Sequence, residues 1–323
     1  MTTALTGARR TAAPSRTGRR RPVALIFLTP WLIGMAIFFI YPLAATLYYS
    51  FTRFDLLNPP RFVGLRNYRF LLHGDTHVWQ ATRNTLWLVA VVVPLRVLFG
   101  LGCAGLVVSV KRGQSLVRAA CYLPVLAPPV AATVAFVFLF NPGTGPVNGV
   151  LRVLGVHGPG WFTDPAWAKP SLAFLAMWAV GDVMVLLLAA LLDVPKHLYE
   201  AAAIDGAGPI RRWRHITLPT ISPVLLFTVI TGIIQTLQYF TQAAVAAQVA
   251  SGTGATSSGL AETFGWPDGS TLTFPEHLYV MGFRYSYLGY ASALAVVLFA
   301  VSLVFTVLLL RRFGSLLGDR DDT

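Results

Sequence analysis

Charged residues are scarce in this sequence. Only 12% of its 323 residues are Asp, Glu, Lys or Arg, whereas 55% are apolar, and the mean hydropathy is +0.63. Ordinary soluble domains carry about a quarter charged residues. A water-soluble chain with so few charges could not cover its own surface, so part of that surface must face lipid. The composition therefore excludes an ordinary soluble protein.

Cysteine is scarce as well, and one nucleotide-binding motif is missing. Cys103 and Cys121 lie in or beside apolar stretches without CxxC or histidine-rich neighbours, which argues against a disulfide framework or a metal site. The sequence contains no GxxxxGK[ST] segment, the loop whose backbone cradles ATP phosphates. We therefore expect neither a metal nor an ATPase site in the chain itself.

Long apolar runs are what the sequence has in abundance. Each of six runs could cross a hydrocarbon core of ~30 Å as a helix rising 1.5 Å per residue. They cover residues 23–49, 86–110, 121–140, 171–192, 216–245 and 289–310. The first follows three arginines as in a signal peptide, but its length and the absence of a small-residue cleavage site favour a retained helix. We predict an all-α membrane protein with six transmembrane helices.

Basic residues are spread unevenly over the predicted connections. Sixteen lie on the side that carries both termini and the loops after the second and fourth runs, against eight on the other side. Because cytoplasmic loops are enriched in Lys and Arg, this predicts that both termini are cytoplasmic. The same bias accounts for the net charge of +12 without nucleic acid as a partner.

Composition also sets the boundaries of the membrane domain. Residues 1–22 are rich in Arg, Ala, Thr and Ser without periodicity, which predicts a disordered, basic cytoplasmic tail. Residues 23–312 form the predicted transmembrane domain, and residues 313–323 a second cytoplasmic tail. The stretch 251–276 is rich in Gly, Ser and Thr and is predicted to be an external loop.

The connection between the fourth and fifth runs, residues 195–219, has a distinctive pattern. Pro195 suits the start of a short helix, and Gly206 and Gly208 permit a tight reversal that a side chain would resist. The many Ala and Gly residues indicate close packing against a partner backbone, which could belong to another protein or to another loop of this chain. We predict a compact helix–turn–helix knob on the cytoplasmic face.

The knob resembles the signature loop of permease subunits in binding-protein-dependent ATP-binding-cassette (ABC) importers. The pattern EAA, three residues, G, nine residues, I-x-L-P is met at every fixed position. Those positions are Glu200, Ala201, Ala202, Gly206, Ile216, Leu218 and Pro219. FVGLRNY at 62–68, RAACYLP at 118–124 and GYASAL at 289–294 are similar to carbohydrate-importer permeases of the maltose and glycerol-phosphate type. The long first run with Tyr41 and Pro42 resembles the first permease of the usual pair.

This resemblance implies the transmembrane domain of a type I ABC importer in a bacterial plasma membrane, with its core at about residues 80–312. It implies as partners a second permease, two ABC ATPase subunits that hold ATP and Mg²⁺, and an extracytoplasmic sugar-binding protein. The knob would dock on an ATPase subunit and transmit its closure to the membrane helices. The implied ATPase-coupling residues are Glu200, Ala201, Ala202, Asp205, Gly206 and Gly208.

Two charged residues lie deep inside predicted helices. Arg96 is in the second run and Asp182 in the fourth, at similar depth. Each alone would cost about 2.5–3.5 kcal/mol at the centre of a membrane. We therefore expect the two to pair, or both to face the aqueous translocation path, and the residues leave a structural role and a transport role equally open.

A polar cluster in the fifth run is the second candidate for the translocation path. Its members share one face of a continuous helix: Gln235, Gln238, Tyr239 and Gln242. Sugars are bound by amides, hydroxyls and aromatic rings, so this stripe is a predicted sugar-facing surface. The alternative is that it forms hydrogen bonds with the partner permease.

The cargo itself stays open at this level. A sugar is the expectation that follows from the resemblance, with a polyol, a sugar phosphate or another small solute as alternatives. A secondary transporter driven by an ion gradient is an alternative from a different class of protein.

Overall fold

The computed structural model describes residues 21–252 and 263–318, with the side chains of 27–252 and 263–312. Most of the predicted tail 1–22, residues 253–262 of the predicted external loop, and residues 319–323 lie outside the described part. Contacts divide the chain into two units, residues 1–48 and 49–323.

The first unit is an apolar helix with one irregular turn. Helix α1 (Arg21–Met35) passes through a wider π-helical turn, Ala36–Ile40, into α2 (Tyr41–Ser50). Residues Phe27–Ser50 are long and apolar enough to cross a membrane. The first predicted span is therefore a helix, as expected.

The second unit begins with a two-stranded ribbon and continues as helices. Strands β1 (Thr52–Arg53) and β2 (Arg61–Phe62) pair antiparallel. The helices that follow are α3 (Arg66–His73), α4 (Thr76–Ser109), α5 (Gln114–Tyr122), a 3₁₀ turn (Leu123–Leu126), α6 (Pro129–Leu139), α7 (Pro146–Val153), α8 (Pro165–Trp178), α9 (Gly181–Leu192), α10 (Lys196–Ile204), α11 (Pro209–Arg212), a π turn (Trp213–Thr217), α12 (Leu218–Leu237), α13 (Thr241–Ala250), α14 (Phe274–Tyr279), a π turn (Val280–Arg284) and α15 (Leu288–Gly318).

Two of the six predicted spans are bent rather than continuous. In the described part of the chain four spans are single helical paths by length and composition, and the number rises to six if each bent pair is one span. The third span bends by 96° between the 3₁₀ turn and α6, where Pro128 and Pro129 cannot donate backbone hydrogen bonds. The fourth bends by 48° between α8 and α9. The predicted six spans agree with the upper number, in which each bent pair counts as one span.

The fifth predicted run, residues 216–245, is also interrupted. Helix α12 ends at Leu237, and α13 begins only at Thr241. Helix α13 packs on α6, where Ala243 and Ala246 join the buried Phe136 in one apolar core. The predicted external loop 251–276 is likewise corrected at its end, because the helix α14 occupies its last residues.

Helix α4 lies at the centre of the second unit. It packs against α8, α9, α12 and α14. Its buried Leu88 contributes to an apolar core with Leu172 of α8, and its buried Ala104 to another with Met184 of α9. The close fit at the second core depends on Gly100, since a Cβ there would lie 2.6 Å from the side chain of Val183. Helix α4 thus positions the two halves of the bent fourth span.

A buried polar network surrounds the first turn of α4. Asp75 caps the helix, with Oδ1 accepting from the backbone N–H of His77 at 3.0 Å. Its Oδ2 accepts from the Tyr290 hydroxyl and lies 2.7 Å from Nε2 of His277. Burial alone would raise the pKa of Asp75, but the hydrogen bonds outweigh it and lower the pKa to about 2. This ionised carboxylate joins α4, α14 and α15.

Glu276 of α14 is fully buried next to His277. Its Oε2 accepts from the backbone N–H of Thr273 at 2.7 Å, while Oε1 has no hydrogen-bond partner among the described residues. Burial raises the pKa of Glu276 to about 8, so the carboxyl group is mostly protonated at neutral pH.

The raised pKa of Glu276 predicts a loss of stability as the pH rises. The stabilising proton is fully present below the unfolded value of 4.5 and is lost as the pH rises through the folded value of about 8. The unfolding free energy should fall by ~1 kcal/mol per pH unit in that window. Glu276→Gln lacks this proton and should show a flatter profile, while Asp75 stays ionised throughout.

The measurement is the apparent unfolding temperature in detergent, followed by tryptophan fluorescence at pH 5, 6.5 and 8 at one scan rate. The difference between wild type and Glu276→Gln cancels the contributions that all other titrating groups make equally to both proteins. Parallel pH profiles for the two proteins would contradict the prediction.

Candidate functional site

The predicted knob is a helix–turn–helix. Helix α10 begins directly after Pro195 and ends in a Schellman motif, in which the N–H of Ala207 donates to Ala202 O at 2.9 Å and that of Gly206 to Ala203 O at 3.1 Å. Gly206 has φ +71°, a conformation that L side chains rarely adopt. The expected need for glycine is therefore confirmed at this position.

The same expectation is wrong for Gly208. Its backbone is extended, with φ −69° and ψ 168°, and a Cβ would meet nothing within 4 Å. Any residue could adopt this conformation. Gly208 is not required by the turn itself, so the sharp reversal depends on Gly206 alone of the two.

Side chains tie the two arms of the knob together. The hydroxyls of Tyr199 and Thr217 are 2.7 Å apart, and Nε of Arg212 donates to Ala207 O at 2.6 Å. These bonds fix the turn relative to the base of α12. A fixed shape of this kind can transmit a displacement instead of absorbing it.

The outer face of the knob is open and partly apolar. Glu200, Ala201, Asp205, Gly206 and Gly208 are exposed and Ala202 is half-buried. Ile204 and Ile210, on either side of the turn, are 88% and 81% exposed. Exposed isoleucines beside carboxylates are typical of a surface that a protein partner covers. Five of the six predicted coupling residues are therefore accessible to a partner.

Arg96 and Asp182 form an ion pair across two helices. Nη2 of Arg96 in α4 donates to Oδ1 of Asp182 in α9 at 2.8 Å and to Oδ2 at 3.0 Å. Nη1 donates to Oε1 of Gln235 in α12 at 3.2 Å. Pairing, one of the two expected arrangements, is therefore present, and Gln235 adds a third helix. We call these residues the polar trio.

The polar trio borders a cavity of about 310 Å³, here named the polar cavity. All six residues predicted for the translocation path line it. They are Arg96, Asp182, Gln235, Gln238, Tyr239 and Gln242. The sequence thus identified residues that the fold brings together around one space.

The prediction that the glutamine cluster lies on one face of a continuous helix is nevertheless wrong. Helix α12 ends at Leu237, and Gln238 has non-helical angles of φ −99° and ψ 18°. Tyr239 lies in the break, and Gln242 belongs to α13. The residues share a cavity because the chain turns around it, whereas a continuous helical face was predicted.

A second cavity of about 340 Å³ shares the polar trio as part of its wall. Its other lining residues are apolar apart from two threonines: Val93, Val97, Val183, Leu186, Phe227, Thr228, Thr231 and Gly232. We call it the apolar cavity. The polar trio therefore stands at the boundary between a polar space and an apolar one.

Sequence reasoning missed several residues of the polar cavity. Thr133 of α6, Trp178 at the end of α8 and Thr241 at the start of α13 all line it. Thr133 could have been noticed as the one hydroxyl residue in the third apolar run, residues 121–140, apart from Tyr122. Trp178 carries no such signal, because its position depends on the break between α8 and α9.

Comparison with known proteins agrees with this architecture. Residues 96–315 match the family model described as binding-protein-dependent transport system inner membrane component. The chain is 34% identical to the sulfoquinovosyl glycerol transport system permease protein of Agrobacterium fabrum, over 90% of each chain. It is 33% identical to the lactose transport system permease protein of Rhizobium radiobacter, over 85% of this chain and 90% of that protein.

A solved structure has the same fold. It is a bacterial ABC transporter involved in the import of the acidic polysaccharide alginate, with a TM-score of 0.69 and 21% identity, covering 91% of this chain and 96% of that chain.

The ion pair predicts non-additive effects on stability. Asp182→Asn or Arg96→Gln alone leaves one charge without its partner, and each should lower the unfolding free energy by roughly 1–3 kcal/mol. We expect the lower end, because the Asp182 side chain is 43% exposed. The double variant leaves neither charge and should recover most of the loss. Apparent unfolding temperatures of the purified protein measure this, and a double variant as unstable as the summed single variants would contradict it.

Proposed function

Because this chain belongs to the family of binding-protein-dependent transport system inner membrane components, we propose that it forms half of the translocation path of a sugar importer. The chain is a permease subunit of an ABC importer and a protein of the inner membrane. The observation that carries the proposal is the polar cavity, in which the two membrane-embedded charges and the three glutamines meet.

The knob is the proposed contact with the ATPase. Its exposed face offers Glu200, Asp205 and the apolar side chains around the Gly206 turn to a cleft on a separate subunit. Closure of that subunit would move the knob as a body, because hydrogen bonds tie its two arms together. The knob joins α9 to α12, and these two helices carry Asp182 and Gln235. Movement of the knob would therefore reach the polar trio directly.

The proposed assembly contains more than this chain. A second permease would complete the path, two ATPase subunits would bind ATP and Mg²⁺, and an extracytoplasmic binding protein would deliver the sugar. This chain supplies transport and no ATP hydrolysis, which agrees with the missing GxxxxGK[ST] segment. The excess of Lys and Arg on the knob side supports cytoplasmic termini, and the tails 1–22 and 313–323 would then lie in the cytoplasm.

The lining of the polar cavity supports a sugar or a similar polyhydroxylated solute. Gln238, Gln242 and Thr241 provide neutral donors and acceptors, and Tyr239 and Trp178 provide aromatic rings. The relatives leave the charge of the cargo open, because sulfoquinovosyl glycerol carries a sulfonate and lactose is uncharged. A sugar phosphate or polyol therefore remains the alternative within the class.

The importer should need ATP and no ion gradient. We expect proteoliposomes that contain this chain, its partner permease, the ATPase subunits and the binding protein to transport sugar only when ATP is supplied. The ATP has to be on the side of the membrane that carries the ATPase subunits. A proton or sodium ionophore should leave the rate unchanged. Uptake that follows the proton gradient and ignores ATP would identify an ion-coupled transporter instead.

The turn of the knob should be sensitive to backbone conformation. Gly206→Val places a β-branched residue at φ +71°, which costs roughly 1–2 kcal/mol and should distort the turn. We expect it to reduce sugar uptake severalfold, and Gly206→Asn, which tolerates this conformation, to reduce it less. The measurement is uptake per assembled complex, together with the sugar-stimulated ATPase rate.

Gly113 provides the matched control. It has φ +78°, and a Cβ at this position would meet nothing within 4 Å, so Gly113→Val carries the same backbone penalty outside the knob. Uptake should stay near the wild-type rate in this variant. Equal losses in Gly113→Val and Gly206→Val would mean that general instability, rather than the knob, explains the effect.

A further inference from the structure

We propose that the path half formed by this chain accepts an uncharged polyhydroxylated solute and disfavours an anionic one. The inference rests on the proposed function, since it takes the polar cavity to be part of the sugar path. It decides a question that family membership leaves open, namely the charge of the cargo.

The charges that line the two cavities cancel. Arg96 and Asp182 are the only ionisable Asp, Glu, Lys, Arg or His residues among the described residues that line either the polar or the apolar cavity. They face each other at 2.8 Å, so the walls contributed by this chain carry no net charge. A cavity built to hold a phosphate, sulfonate or carboxylate needs an uncompensated cation, usually arginine.

The guanidinium group of Arg96 has no pair of free, accessible N–H groups that could bind an anion in a bidentate manner. Nη2 is used by both carboxylate oxygens of Asp182, and Nη1 by the amide of Gln235. Of the two N–H groups left over, that of Nε is buried, and the second N–H of Nη1 can form only a single contact with an anion. A bidentate contact with a second anion would require these bonds to break first.

The accessible side of the ion pair is the negative one. The side chain of Asp182 is 43% exposed, whereas that of Arg96 is 15% exposed. An anion that enters the polar cavity would therefore approach a carboxylate before it could reach the guanidinium. Repulsion at this short range is only partly screened, because the surrounding walls are protein rather than bulk water.

The polar trio also lies at the boundary between the two cavities. It is the part of the wall that the polar and apolar cavities share. A solute that moves from one cavity to the other would come close to Asp182 in either direction. The apolar cavity beyond offers only the hydroxyls of Thr228 and Thr231 and the trio itself as polar groups. Neither cavity provides an unpaired cationic side chain of this chain that could bind an anion.

The neutral groups of the polar cavity fit sugar hydroxyls instead. Gln238 and Gln242 can each donate and accept, as can the hydroxyl of Thr241. Trp178 also lines the cavity, and an indole ring can stack against the C–H groups of a pyranose. Such a lining discriminates by hydroxyl pattern and shape rather than by charge.

The test is equilibrium binding to the purified permease–ATPase complex without the binding protein, so that the path alone sets the preference. The ligands are lactose, maltose and cellobiose, each paired with its own 6′-phosphate, and the readout is tryptophan fluorescence. The wild-type complex should bind the neutral member of at least one pair roughly tenfold more tightly than its phosphate. Tighter or equal binding of the phosphate in every pair that binds would overturn the inference.

Variants of the ion pair sharpen the result. Asp182→Asn leaves Arg96 unneutralised and should move the preference toward the phosphate by roughly tenfold, whereas Arg96→Gln should strengthen the preference for the neutral sugar. The double variant restores a neutral wall and should return to the wild-type ratio. A ratio that is the same in all four proteins would also overturn the inference, and yields of assembled complex show which variants are folded.

The two proposals can fail separately. If no ligand of any pair binds to a complex that hydrolyses ATP, the polar cavity is not a sugar path, and the proposed function fails together with the inference. If the phosphates bind better than the neutral sugars, the cavity is a sugar path and only the charge inference fails.

Discussion

Backbone amides and carbonyls that meet hydrocarbon must be hydrogen-bonded within the chain, and this constraint explains where the helices of this permease break. The second unit departs from helix at three points in its apolar spans: at Ala127 and Pro128, at Ala179 and Val180, and between Leu237 and Thr241. At every one of these points the chain borders the polar cavity. Non-helical backbone is tolerated at membrane depth where it lines such a space, so the breaks and the cavity require each other.

The ion pair depends on one of these breaks. Because α8 ends at Trp178 and α9 starts at Gly181, Asp182 lies in the first turn of a new helix. A carboxylate is favoured there by the helix dipole and the unpaired N–H groups of the first turn. Arg96 approaches from α4, which runs unbroken past it. The break thus stabilises the charge that, together with Arg96, joins three helices.

The knob and the polar cavity are connected by the two helices that flank the knob. Helix α9 leaves the polar trio and ends at Leu192, the knob follows, and α12 returns from Leu218 to Gln235. Two members of the trio are therefore carried by the two helices that the knob joins, while Arg96 stays on the central helix α4. In our proposal, a displacement of the knob changes the separation between these helices, and with it the contacts of the ion pair at the boundary of the two cavities.

The sequence alone determined the membrane class, the approximate location of six spans, the knob and its glycine turn, because these follow from local sums of hydropathy and from backbone preferences at single residues. It also singled out Arg96 and Asp182, since a charge in an apolar run is costly wherever it lies. It could not locate the breaks at Ala179 and Gln238, because a gap of two or three residues hardly changes a hydropathy average. Only the tertiary structure decided that Thr133 and Trp178 join the glutamines around one cavity, and that Asp182 rather than Arg96 is the exposed partner, because both depend on how separate helices pack.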